Sequence, residues 1–317
     1  MTDKEIYKRT LVFSVRALLF DILALILFIA CPTVGFILGD RLQEKGAIGL
    51  LIGLVIGIIA LAAILRFVAY QYQAGQVAMM TKGITENELP DDIIAAAKQA
   101  VRERFVTIAI YFLAVNAVKG LFNRLGSVIS NVGRSVGGST GSAVGSVVSS
   151  VIQTIISYLC TCCLGWVFYR REQNAFKATC EGAVIFFKHG KTFAKNMGRI
   201  FGIGALSFVP IVGGLTALFY KVFSGYPVFF REVAQAFADS EDAAYLSDPK
   251  VLMVVIAFII GVIIWGIIHS TFIRPYVLVG VLRNYINSGI RDVPTEGSFR
   301  NVLGISAKFD KLEQRLG

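Results

Sequence analysis

Between Val251 and Ile273 the chain reads VLMVVIAFIIGVIIWGIIHSTFI, 23 residues without a single Asp, Glu, Lys or Arg. About 20 apolar residues in a helix cross the roughly 30 Å hydrocarbon core of a bilayer. A helix also bonds all its own backbone groups, which lipid cannot do for it. This run predicts a transmembrane helix. Comparable runs fall at about 19–39, 47–69, 105–122, 149–169 and 200–220, giving about six spans with 251–273. Composition agrees: 55% of the residues are hydrophobic and 16% charged, against a usual charged share of about 25%. The predicted fold class is all-α, a polytopic transmembrane helical bundle forming one membrane domain over 1–317.

The polar segments between the runs set the topology. Segments 1–18, 66–104, 170–199 and 274–317 together hold 23 of the 31 Lys and Arg. Basic residues are retained on the cytoplasmic side, so both termini and the segments 70–104, 170–199 and 274–317 are predicted to be cytoplasmic. The six spans then form three hairpins, with cytoplasmic amphipathic helices between them. One such helix is predicted in ENELPDDIIAAAKQAVRERF, opened by Pro90 and Asp91 or Asp92 and closed by basic residues that suit the helix dipole. The inward-running spans end alike, in FVAYQY at Phe67, WVFYRR at Trp166 and FIRPYV at Phe272, a faint internal repeat. No cleavable signal sequence is evident, and the net charge of +10 is explained by topology. No basic domain or aromatic-basic platform suggests nucleic-acid binding.

Small residues supply the strongest local pattern. Gly49, Gly53 and Gly57 lie four apart in the second span, and Gly133, Gly137, Gly141 and Gly145 lie four apart in NVGRSVGGSTGSAVGSVVSS. Four-residue spacing keeps such positions on one helix face, where a missing side chain lets another backbone approach. Packing within one subunit is the plainest use; oligomerisation and a pore lining are the alternatives. Charge parity leaves room for only two crossings between Arg104 and Arg170. The glycine-rich segment 131–150 is therefore expected on the outer side, as an interfacial or re-entrant helix or an extension of the fourth span. Pro32 is expected to bend the first span. Pro210 with Gly213 and Gly214 predicts a kink or break in the fifth, a candidate hinge.

Candidate chemistry is sparse. Asn116, Gln153 and His269 are polar residues within apolar runs, where such groups are functional candidates or interhelical hydrogen-bonding groups. Lys177, Lys188, Lys191 and Lys195 alternate with Phe176, Val184, Phe186 and Phe187, a pattern suited to an anionic lipid surface as well as to simple topology. Cys160, Cys162 and Cys163 lack the companion ligands of a zinc site and read as small buried hydrophobes, with acylation the alternative. The tripeptide Gly190-Lys191-Thr192 lacks the earlier glycine of a phosphate loop, since position 185 is isoleucine. No metalloprotease, nucleophile-elbow or triad pattern occurs. No enzymatic activity, metal or cofactor is expected.

The run REQNAFKATCEGAVIFFKHGKTFAKNMGRIFG resembles bacterial multi-span membrane proteins of uncharacterised function. The segment 155–215 also has a partial similarity to the choline transporter-like family, carried by CTCCLGW, the pair Asn174-Ala175 and the basic-aromatic run that follows. The chain departs from that family in having a short turn, DRLQEKG, after its first span and fewer spans, and no substrate-binding residue carries over. Two functions are expected from the sequence. One is a transport or permeation component for a small solute or lipid in a bacterial cytoplasmic membrane. The alternative is a non-catalytic scaffold or assembly factor, a homo-oligomer or bound to a protein partner, using glycine-faced helices and a basic lipid-contacting loop.

Overall fold

The structure is a computed structural model that describes residues 1–43, 46–105, 157–235 and 244–294. Every regular element among the described residues is helical. In chain order they are α1 (Asp3–Gln43), α2 (Gly46–Val68), a π-helical segment (Ala69–Gln73), α3 (Ala74–Thr85), α4 (Ile93–Arg104) and α5 (Ser157–Tyr169). There follow α6 (Ala175–Lys188), α7 (Gly190–Phe223), α8 (Pro227–Gln235), a short 3-10 turn (Ala244–Ser247), α9 (Pro249–Ile268), a second π segment (His269–Ile273) and α10 (Arg274–Arg291).

Among the described residues, four helical stretches are long and apolar enough to cross a membrane: Asp3–Arg41, Ile48–Thr85, Gly202–Phe223 and Pro249–Arg291. They cover nearly all of the runs expected at 19–39, 47–69, 200–220 and 251–273. Beyond Phe105, the run expected at 105–122 lies outside the described residues, as do the first part of 149–169 and Gly133, Gly137, Gly141, Gly145, Asn116 and Gln153. Both prolines are accommodated inside helix: α1 is continuous through Pro32 and α7 through Pro210. Of the kink or break expected at Pro210, Gly213 and Gly214, the break does not occur, since α7 runs unbroken through all three. An internal proline removes one backbone bond and crowds the preceding turn, and the remaining bonds carry the helix past it.

The similar endings of the second and sixth runs share a structural feature. Each passes through a five-residue π segment before an α-helix resumes. Such segments insert a residue into the helical ladder and re-aim the side chains beyond it. α4 starts as its sequence dictates: the Asp92 carboxylate accepts from the Ala95 N–H at 2.9 Å, a side-chain N-cap. α3 stops where Asn87 takes a left-handed conformation (φ 58°), the residue after a helix end where Asn and Gly are favoured.

The described chain divides into two compact units, one of Met1–Met197 with Pro275–Gly317 and one of Gly198–Arg274. In the first unit the apolar halves of α1 and α2 expose most of their side chains, while the start of α1 packs with α3, α4 and α10. Phe13, Met80, Phe105, Trp166, Ile185, Leu282 and Tyr285 are among its fully buried side chains. Glycines let these helices close on one another: a Cβ on Gly75 would meet Ala97 Cβ at 3.1 Å, and one on Gly289 would meet the Trp166 ring at 2.5 Å and Ile185 Cδ1 at 2.6 Å. Gln76 is buried without cost to its amide, donating to Ser14 Oγ at 2.8 Å and the Thr10 carbonyl at 3.2 Å. The second unit holds most of α7, with α8 and α9. Its core is Phe230, Ala234, Leu252 and Met253.

Candidate functional site

Two features of the first unit stand out, one apolar and one polar. The apolar feature is the crossing of α1 and α2. A Cβ on Gly49 would collide with the Gly35 carbonyl oxygen, and one on Gly53 with the Cys31 carbonyl oxygen, while one on Gly57 would lie 3.4 Å from the Phe28 carbonyl oxygen. The pairings run antiparallel. Phe28 is also the residue whose carbonyl Pro32 deprives of its intrahelical donor, and Gly57 leaves that oxygen uncrowded. Beside the crossing lies an open groove of about 770 Å³, floored by Gly35, Gly39, Gly49 and Gly53 and walled by side chains such as Val34 and Ile52.

The polar feature is a knot where α5 ends. The last carbonyls of a helix have no intrahelical partner and carry the negative end of its dipole. The half-buried guanidinium of Arg104, the last residue of α4, sits on that end. It donates to the carbonyls of Val167 (2.8 Å), Arg170 (2.6 Å), Arg171 (3.2 Å) and Gln173. Burial lowers the Arg104 pKa from its ordinary value, and even so a guanidinium keeps its charge at any physiological pH. Arg104→Lys is expected to cost about 1.5–3 kcal/mol, because an ammonium cannot serve several divergent acceptors with a planar fork. Arg104→Ala should cost more. Thermal unfolding of the purified protein would rank the two.

Next to it, the buried carboxylate of Glu181 on α6 accepts from the Trp166 indole N–H at 3.0 Å and from Arg170 at 3.0 and 3.4 Å. Tyr285 of α10 donates its hydroxyl to the Gly182 carbonyl. Arg171 pairs with Glu86 at 3.0 Å, and Lys82 approaches the same carboxylate at 3.5 Å. A cleft of about 450 Å³ opens between α3 and the turn after α5, lined by Thr81, Thr85, Glu86, Tyr169, Arg170 and Gln173. Its cations are already bonded to helix ends and carboxylates. The arrangement ties α3, α4, α5, α6 and α10 together.

The sequence candidates are dispersed. Lys177 is exposed on α6, and Lys188 pairs with Asp292 at 2.6 Å. That hydrogen bond, with the charges of Lys188 and His189, holds the Asp292 carboxyl below its ordinary 3.8. The contact is therefore present at neutral pH and fades only as the pH falls through that lowered range. Lys191 and Lys195 lie in the first turns of α7, and their side chains are outside the described residues. His269 opens the second π segment with its ring 4.9 Å from that of Trp265, whose indole N–H donates to Ser207 Oγ at 3.3 Å. Pro210, Gly213 and Gly214 are exposed on α7.

Sequence reasoning named Arg104 and Trp166 only as topology and span-end markers and did not single out Glu181 or Tyr285. Glu181 carried a readable signal: it shares a helix face with Ala178 and Ile185, at spacings of three and four, where an acid is buried only with a partner. Compared with known proteins, the chain matches no family model, no curated protein and no solved structure.

Proposed function

We propose that the chain is a six-span protein of a bacterial cytoplasmic membrane, arranged as three hairpins with both termini cytoplasmic, and that it serves as a non-catalytic membrane scaffold. One observation carries this reading. The charged groups around Arg104 and Glu181 are spent on holding helices together, whereas only 6–22% of the apolar windows of the four long helices is buried. The sides that these four helices leave exposed are largely apolar, and they suit lipid or the helices of a membrane partner. The groove beside the Gly35–Gly49 crossing is a natural seat for either. Lys177, Lys191 and Lys195 would meet anionic headgroups from the cytoplasmic side. Native mass spectrometry and pull-downs from membranes should recover the protein with retained lipid or a defined partner. Recovery of neither would overturn the scaffold reading.

A transport role is supported by a separate observation. His269 introduces a polar group and a π segment into an otherwise apolar run, and π segments in helices accompany functional sites. On that reading, reconstituted protein carries a solute across vesicles faster than empty vesicles do, and His269→Ala abolishes the difference. Flux equal to that of empty vesicles over a broad solute panel would overturn it.

A further inference from the structure

The second unit presents an apolar corner that stays largely outside its own core, joined to it by the edge-on contact of Phe229 with Phe230 at 5.3 Å. α7 ends at Phe223, and a tight turn closed by backbone bonds from Ser224 to Tyr220, Gly225 to Val222 and Tyr226 to Phe223 leads directly into α8. α8 buries Phe230 and Ala234 against Leu252 and Met253 in the first turn of α9, with Phe223 stacked on Phe230 at 5.0 Å. That docking faces Tyr226, Val228 and Phe229 outward, and they are 65%, 65% and 59% exposed. Arg231 and Glu232 are exposed one turn further on.

The helices on either side fix the depth of this corner. The apolar stretch Gly202–Phe223 has 22 residues, which at about 1.5 Å per residue spans about 33 Å, the thickness of the hydrocarbon core. Phe223 therefore stands at one membrane boundary. On the other side of the corner, α9 begins at Pro249 under the Asp248 cap, with Lys250 beside it, so its first apolar turn leaves the same boundary. α7 itself exposes Leu206, Val209, Leu218 and Val222 on more than one side, and these side chains face lipid in a membrane-spanning helix. Large aromatic and apolar side chains at that level, with charges beside them, match an interfacial helix.

We infer that α8 is an interfacial helix whose Tyr226–Phe229 corner inserts into the headgroup–acyl boundary of the bilayer, so that lipid is the partner of this surface. The corner anchors the α7–α9 connection at the membrane surface and keeps α8 from lifting into water. The inference depends on α7 and α9 spanning the membrane and not on the scaffold or transport role.

The test is the full-length Phe229→Trp variant in a Trp265→Phe background, where Trp166 remains as a fully buried constant signal. The protein is reconstituted in vesicles of phosphatidylcholine and phosphatidylglycerol carrying bromines at shallow or deep acyl positions. The expected result is blue-shifted emission from the new tryptophan and a loss of intensity that is greater with shallow than with deep bromines, with little quenching by aqueous iodide. Red-shifted emission quenched by iodide and indifferent to bromolipid places the corner in water and overturns the inference. Indifference to both quenchers means protein covers the corner and overturns it equally. If Phe229→Trp does not fold, Tyr226→Trp on the same corner gives the same readout.

Discussion

Glu181→Ala is expected to destabilise the first unit by about 3–5 kcal/mol, the cost of breaking a buried ion pair by removing one partner. The Glu181 side chain is 2% exposed and its Arg170 partner 30%. Removing the carboxylate strands the Trp166 indole N–H at a position where no water reaches it, since Trp166 is fully buried. Arg170 can turn partly toward solvent, so the loss should fall toward the lower end of that range. Glu181→Gln keeps an acceptor for Trp166 and gives up only the charge, and it should lie between wild type and alanine. Thermal unfolding in detergent, followed through tryptophan emission, reads the effect directly, because Trp166 is the group whose surroundings change. Wild-type unfolding temperature in the alanine variant would mean that Glu181 does not hold α5 and α6 together.

The membrane class was legible because crossing a bilayer is a demand on length and polarity alone. The runs at 19–39, 47–69, 200–220 and 251–273 meet it without any knowledge of what they touch. The start of α4 was legible for a similar local reason, since Pro90 and Asp92 act within one turn. The site of the protein-packed core was not. In water, the longest apolar runs would be the core. In lipid they can stay on the outside, and the described core instead gathers the short apolar helix α5, with Trp166, among segments of mixed composition around Phe13, Met80, Ile185 and Tyr285. There one helix face is apolar and the others carry the charges read as topology signals.

Arg104 illustrates the limit. As a sequence feature it is one more positive charge at the end of a basic helix. Its role depends on four carbonyls more than 60 residues later, and a carbonyl has no sequence signature. Gly75, Gly83, Gly165, Gly182 and Gly289 are isolated in the chain and have no four-residue beat. Each nevertheless stands where another helix comes close. A glycine within a helix costs about 1 kcal/mol against alanine, so its presence in α3, α5, α6 and α10 hinted at close contact, but the partner is set by the fold.

The beat of four that sequence reasoning did detect is not uniform in its consequences, and this gives the second large effect. Gly49→Ala and Gly53→Ala are each expected to disrupt the α1–α2 crossing, at a cost of about 1–3 kcal/mol for forced overpacking. In both cases the added methyl meets backbone. For Gly49 the Gly35 carbonyl carbon lies 2.9 Å and the Gly39 Cα 3.0 Å from the new atom, and for Gly53 the Cys31 carbonyl carbon and the Pro32 Cα both lie at 2.8 Å. A side chain can rotate away from such a contact; a helix backbone moves only with the whole helix. Nothing in the bilayer offsets the separation, because lipid tails are as apolar as the side chains they would replace and close packing itself holds the helices together. Gly57→Ala should behave differently. Its nearest neighbours, at 3.4–3.6 Å, are at ordinary contact distance, so alanine adds packing and gains up to about 1 kcal/mol of helix propensity. Gly35→Ala, on the facing helix, should reproduce the Gly49 result, since its methyl would collide with the Gly49 carbonyl. Thermal stability of the four variants in lipid nanodiscs distinguishes the outcomes. Loss at 35, 49 and 53 with none at 57 fits a crossing set by backbone contact at three glycines, whereas equal tolerance at all four would mean the helices do not meet there.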